Sequence, residues 1–225
     1  MIEKSKIRGK QFRIITYLIL FFLIWSIYEI FIASYIIERF TESYFTITNF
    51  SVKFVVWIIP VVLYLKFIDK VNYFSYLKLN KNIKKGIIGA LIVSSLFLVY
   101  NLLEVILMGD IKIDLNLSLS DWLNTVIMAG LAEEIVFRGF LLKKFWVIMT
   151  SKAAMLFSAL LFLFIHYPIW FVRGNLVFPG IILSSLYVFI IGVIMAYLYK
   201  KTDSLWSCII SHSLHNFIVT IIVLV

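Results

Sequence analysis

Charged residues and cysteine are both scarce in this chain. Only 15% of its 225 residues are Asp, Glu, Lys or Arg and 63% are hydrophobic. An ordinary soluble domain carries about 25% charge and about 45–50% apolar residues. With a mean hydropathy of +1.02, a soluble globular fold is excluded. The one cysteine, Cys208, rules out an intrachain disulfide and a cysteine-based metal cluster. It lies in an apolar run and reads as packing. Also missing are the short alternating segments of a transmembrane barrel, any internal repeat, any low-complexity stretch and any soluble domain. The first apolar run is too long for the h-region of a cleavable signal peptide. What remains is an all-α, polytopic transmembrane helical bundle of about seven to eight spans.

Acids are the rarer charge, 12 against 21 Lys and Arg, for a net charge of +9. The basic residues cluster in loops between apolar runs, which fits membrane lipid as a partner and not nucleic acid. Seven spans are read at about 14–37, 54–67, 86–108, 122–142, 153–167, 178–199 and 205 to the end. The second is short and could begin near Ile47, and Pro60 within it should kink the helix by removing a backbone donor. Loops on the N-terminal side then hold 16 of the 21 basic residues, and the opposite loops hold Arg39, Lys53, Lys112 and Arg173. By the positive-inside rule the N-terminus is cytoplasmic. Heavy use of Ile, Lys and Asn suggests an AT-rich bacterial genome, and so the cell membrane. Residues 1–120 read as N-terminal transmembrane helices with basic cytoplasmic loops, and 121–225 as a second helix core that carries the intramembrane polar groups. The basic and aromatic stretch from Lys66 to Lys85 is either an interfacial segment lying on the membrane or a plain loop. Asp121 or Ser120 is expected to cap the fourth span.

The fourth span contains Leu131-Ala132-Glu133-Glu134-Ile135-Val136-Phe137-Arg138-Gly139-Phe140. Ionised groups at that depth cost several kcal/mol each unless paired or facing a wet cavity. At about 100° per residue, Glu134 and Arg138 share a face and suit an ion pair. Glu133 points away and has no local partner, which makes it a candidate general base. The alternative is that both acids only fix helix packing. Glu29 in the first span reads as structural, and Glu104 sits near the far end of the third, within reach of water.

The chain's three histidines all fall in apolar spans. His166 follows Phe162-Leu163-Phe164-Ile165. His212 and Asn216 lie four apart on one face, and His215 is placed to substitute for His212 or to support it. Counted from the span ends at 1.5 Å per residue, the depths of Glu133, His166 and His212 agree to within about 10 Å, which helix tilt largely absorbs.

Glu133-Glu134-xxx-Arg138-Gly139, Phe162-xxx-His166 and His212-xxx-Asn216, each on its own span, together resemble the three-motif signature of the CPBP family, the CAAX-processing and bacteriocin-processing intramembrane proteases also called the ABI family. The resemblance covers about residues 120–220. It implies an eight-helix core and peptide-bond hydrolysis within the membrane. Glu133 and His166 would hold and deprotonate a water, His212 and Asn216 would donate to the tetrahedral oxyanion, and Glu134 would pair with Arg138. Cofactor use stays open between a divalent metal such as zinc on Glu133, His166 and His212, and metal-free glutamate catalysis. A His₂Glu set suits catalytic zinc, but no His-Glu-x-x-His helix is present and Asn216 is a poor zinc ligand. The expected partner is a peptide or lipidated protein substrate. Two other readings remain, a non-catalytic membrane partner or bacteriocin-immunity protein, and a proton-coupled transporter.

Overall fold

The computed structural model describes residues 2–108 and 111–224. The fold is all-α apart from one small strand pair. Helix α1 covers residues 2–39 and α2 covers 42–68, followed by a four-residue helix α3, Tyr73–Tyr76, and by α4, Ile83–Met108. The motif-bearing α5 runs over 119–146 without interruption. Next come α6, Ser151–Val172, broken by a turn at 165–166, then α7, Gly180–Thr202, and α8, Leu205–Ile221.

Five of these helices, α1, α2, α4, α6 and α7, are long and apolar enough to cross a bilayer, where seven to eight spans were expected. Helix α5 falls outside that set because any 18-residue window in it includes at least three charged residues. Helix α8 falls outside because it has 17 residues. Large apolar side chains cover the outer surface, among them Phe31, Leu107 and Leu183. In water such a surface would aggregate, so the chain is an integral membrane protein.

Helix α5 is central and packs against α2, α6, α7 and α8, while α4 lies on α8. Aromatic rings tie the layers together. Phe21 of α1 meets Trp57 of α2 at 4.9 Å, Trp57 meets Phe137 of α5 at 6.1 Å, and Phe137 meets Phe162 of α6 at 5.4 Å between ring centroids. Such edge-on pairs each add about 0.5–1.5 kcal/mol beyond burial. Where α6 and α7 cross, a Cβ on Gly192 would stand 2.9 Å from Ala159 Cβ, so only glycine permits that approach.

Local chemistry explains where the sequence reading departs from the fold. The second span starts at Glu42, earlier than expected, because Thr41 accepts from Tyr44 N and caps it. Around Pro60 the helix widens to i→i+5 bonding at Phe54–Ile58 and Tyr64–Ile68, which accommodates the missing donor. Helix α5 is capped by Ser118 and not by Ser120. The Ser118 hydroxyl accepts from Asp121 N, and the Asp121 carboxylate accepts from Ser118 N, a reciprocal capping box.

Residues 66–85 are not a plain loop, because the segment is tied to α5 and to the junction of α7 and α8. Leu77 is buried against Gly139, Trp206 Nε1 donates to Leu79 O at 2.8 Å, and Lys78 pairs with Asp203 at 2.7 Å. Lys143 donates to Tyr76 O, and Lys144 pairs with Asp69. Strands β1, Ile111–Ile113, and β2, Ile222–Leu224, pair antiparallel next to the start of α5. The side chain of Glu104 lies outside the described residues.

Candidate active site

The sequence of α5 places Glu133 and Glu134 on successive positions, so their carboxylates leave the helix about 100° apart. Glu134 turns toward α7 and α8. Its Oε1 is 2.7 Å from Arg138 Nη1 and 2.7 Å from His212 Nδ1. Glu134 and Arg138 are both wholly buried. Arg138 also donates to Gly192 O at 3.3 Å, and its guanidinium lies 4.2 Å from the Phe162 ring centroid. The expected ion pair is therefore present, and it has a second task. A carboxylate held by Arg138 is an acceptor, so His212 Nδ1 donates to it and Nε2 is left facing Glu133, 3.9 Å from its Oε2.

Glu133 turns toward α1, α2 and α6. It lines a cavity of about 410 Å³ together with His166, Glu29, Lys53, Trp170 and Arg173. That volume lies within the roughly 300–1,000 Å³ of pockets that take small ligands. Glu133 is 7% exposed, and its Oε2 has no hydrogen-bond partner among the described residues. His166 ends the first segment of α6, and its Nδ1 lies 2.7 Å from Phe162 O. A carbonyl only accepts, so Nδ1 carries the proton and Nε2 keeps its lone pair. Phe162 fixes both imidazoles, with its ring centroid 4.9 Å from that of His166 and 5.9 Å from that of His212.

The structure thus brings Glu133, Glu134, Arg138, His166 and His212 to one place, and it holds Asn216 on Thr125, a residue that lines the same cavity. Asn216 Nδ2 donates to Thr125 O at 2.8 Å and fastens α8 to the first half of α5. His215 does not stand in for His212. Its Nε2 is 3.3 Å from the Tyr187 hydroxyl, and its ring packs at 4.7 Å on Phe97, on the side of α8 that faces α4 and α7. No three His, Cys, Asp or Glu side chains among the described residues stand at metal-ligating spacing. The zinc set drawn from Glu133, His166 and His212 therefore does not assemble in this arrangement, and no step below passes through a metal.

Sequence reasoning missed four contributors. Glu29, read as structural, lines the cavity; a lone acid in a span gives no sign of which way it faces. Lys53 and Arg173 were read as loop residues and line it too. Phe162 had a motif position but no role.

No curated protein and no solved structure matches the chain. Residues 115–218 match the family model described as "Type II CAAX prenyl endopeptidase Rce1-like". That segment contains Glu133, Glu134, Arg138, His166, His212 and Asn216, and its match is consistent with the CAAX proteases of the CPBP family.

Proposed function

We propose that the chain is an intramembrane endopeptidase that hydrolyses a peptide bond of a membrane-associated or lipidated substrate, with its N-terminus on the basic, cytoplasmic side. One observation carries this reading: the Glu133 carboxylate is buried without a hydrogen-bond partner among the described residues, in a cavity it shares with His166. A water there is held by two acceptors, the Glu133 carboxylate and His166 Nε2. Glu133 takes one proton as general base, and the hydroxide attacks the substrate carbonyl carbon. The C=O electron pair moves to oxygen. His212, anchored at Nδ1 by Glu134 and protonated on both nitrogens for this step, donates from Nε2 to that oxyanion. One such donor is typically worth about 10²–10³ in rate. Collapse of the intermediate breaks the C–N bond, and the leaving amine takes the proton from Glu133. Asn216 Nδ2 spends one hydrogen on Thr125 O, and its other hydrogen is the second donor to the oxyanion.

The test is cleavage of a fluorogenic S-farnesyl peptide by purified protein in nanodiscs, wild type beside Glu133→Gln. The variant should lose at least about 10²-fold in kcat while keeping its thermal midpoint. Equal turnover by both proteins would remove the hydrolase reading. Proton flux in proteoliposomes that Glu133→Gln abolishes, without peptidase activity, would put a transporter in its place.

A further inference from the structure

We infer that the cavity of Glu133 opens on the extracytoplasmic face of the membrane, so that its peptide is presented from that side and not from the cytoplasm. The nature of the occupant rests on the hydrolase reading; the side from which it enters does not. Four helix ends form the mouth. The cavity is lined by Ile37 near the end of α1, Phe45 near the start of α2, Ser120 at the start of α5 and Arg173 just beyond α6. Ile37 is 56% exposed, and Arg173 and Asn175 are exposed as well.

Packed rings close the opposite end. From α5 the lining stops at Glu133, and residues 135–142 beyond it are all buried. There Phe140 meets Tyr17 of α1 at 5.1 Å and Tyr64 of α2 at 5.0 Å between ring centroids. Trp57, 1% exposed, meets Phe21 at 4.9 Å. Past these rings Lys144 pairs with Asp69 and Lys143 donates to Tyr76 O, so the segment 66–85 covers this end of α5. Counted along α5 from Ser120, the Glu133 carboxylate stands up to about 20 Å from the mouth at 1.5 Å per residue, in a bilayer core about 30 Å thick. A peptide that cannot pass the aromatic floor has one way in.

Charge assigns the two ends to sides of the membrane. The connections 69–82, 147–150 and 203–204 lie on the closed side, where Lys78 pairs with Asp203 and Asn82 Nδ2 donates to Thr202 O at 3.3 Å. The N-terminal end, loops and helix ends of this side hold 16 of the 21 Lys and Arg. The mouth side holds Arg39, Lys53, Lys112 and Arg173, and Lys53 and Arg173 line the cavity itself. Basic residues next to membrane spans stay in the cytoplasm, so the closed end is cytoplasmic and the mouth extracytoplasmic. A protein anchored in the inner leaflet cannot reach Glu133 from there. The substrate that fits is an exported peptide, held at the outer leaflet by its lipid or apolar part, with the scissile bond let down through the mouth.

The test labels single introduced cysteines in intact cells that express the full chain. Cys208 is buried and stays silent in the folded protein. A membrane-impermeant maleimide should label Asn175→Cys in intact cells, and Lys85→Cys only after the cells are opened. Ile37→Cys, at the mouth on a different helix, repeats the measurement if Asn175→Cys fails to accumulate. The reverse pattern, labelling of both ends in intact cells, or labelling of neither there, overturns the inference. The second arm needs no cysteine variant. Right-side-out and inside-out membrane vesicles receive a fluorogenic S-farnesyl peptide that carries a sulfonated dye, with the Glu133→Gln rate subtracted. A charged probe crosses the bilayer core only at a cost of several kcal/mol, so cleavage should be at least about tenfold faster in the right-side-out vesicles. Equal rates, or a faster rate in inside-out vesicles, overturn the inference and leave the hydrolase standing. The expected labelling without cleavage in either vesicle upholds the opening and removes the hydrolase.

Discussion

Glu134 Oε1 reaches across 78 residues of chain to His212 Nδ1, at 2.7 Å. The same oxygen is 2.7 Å from Arg138 Nη1. One carboxylate oxygen therefore couples a buried cation to the tautomer and orientation of the imidazole beside Glu133. In this geometry Glu134 is a positioning residue, and its charge and its reach to His212 can be separated by experiment.

Glu134→Leu should destabilise the protein by about 3–5 kcal/mol, because Arg138 is left as an uncompensated buried charge. Glu134→Leu with Arg138→Met replaces the pair by apolar groups and should recover most of that loss. The double variant should still cleave at least about tenfold more slowly, since His212 has lost its Nδ1 acceptor. Thermal midpoints in detergent together with peptide turnover check both parts. A double variant no more stable than the single one would refute the charge account.

Gly192→Ala should cost about 1–3 kcal/mol by overpacking. The new Cβ would stand 2.9 Å from Ala159 Cβ and 3.0 Å from Ala159 Cα. Ala159→Gly in the same chain should restore the loss. Because Gly192 O also accepts from Arg138, turnover should fall with the single variant and return with the pair. A stable Gly192→Ala protein would show that α6 and α7 can separate freely.

Lys143 gives the fold a pH dependence. Burial, with the charges of Lys78 and Lys144 nearby, pushes its ammonium down to about 8 from an ordinary 10.5, and Asp203 only partly opposes this. The folded state therefore releases this proton before the unfolded chain does. Stability is lowest below about pH 8, rises through the interval up to about 10.5, and is level above it with respect to this group. Unfolding midpoints at pH 7.5, 8.5 and 9.5 should climb in the wild type. The climb should be smaller in Lys143→Met, and equal slopes would assign it to other groups.

The proposed mechanism uses carboxylate, imidazole and water alone. Turnover of the S-farnesyl peptide should therefore survive exhaustive dialysis against a chelator, with its rate changed by less than about twofold. Loss of activity that zinc restores would return Glu133, His166 and His212 to the role of ligands and require them to draw closer than they stand here.

The motif helix could be read directly from sequence. Three ionisable groups in an apolar stretch are costly in lipid, and the four-residue spacing of Glu134 and Arg138 dictates their pairing on one face. Residue identity and helical period decide both points, so no tertiary information was needed. Span boundaries were less legible: Thr41 and Ser118 set helix starts through side-chain hydrogen bonds, a signal that apolar runs hide. The stretch 66–85 stayed open between an interfacial segment and a plain loop because its anchors, Asp203 and Trp206, lie more than a hundred residues away in sequence.

By itself, then, the amino-acid order determined a membrane-embedded helical protein, the Glu134–Arg138 pair and the candidates for reaction chemistry, because hydropathy and helical periodicity are local properties. Tertiary structure alone decided that Glu134 would hold His212, that Asn216 would turn to Thr125 and His215 to Tyr187, and that Glu29, Lys53 and Arg173 would share the cavity of Glu133. Those outcomes depend on how each helix is rotated against its neighbours. That rotation is set by close contacts such as Gly192 on Ala159 and the aromatic rings around Phe137 and Phe162, which no single helix encodes.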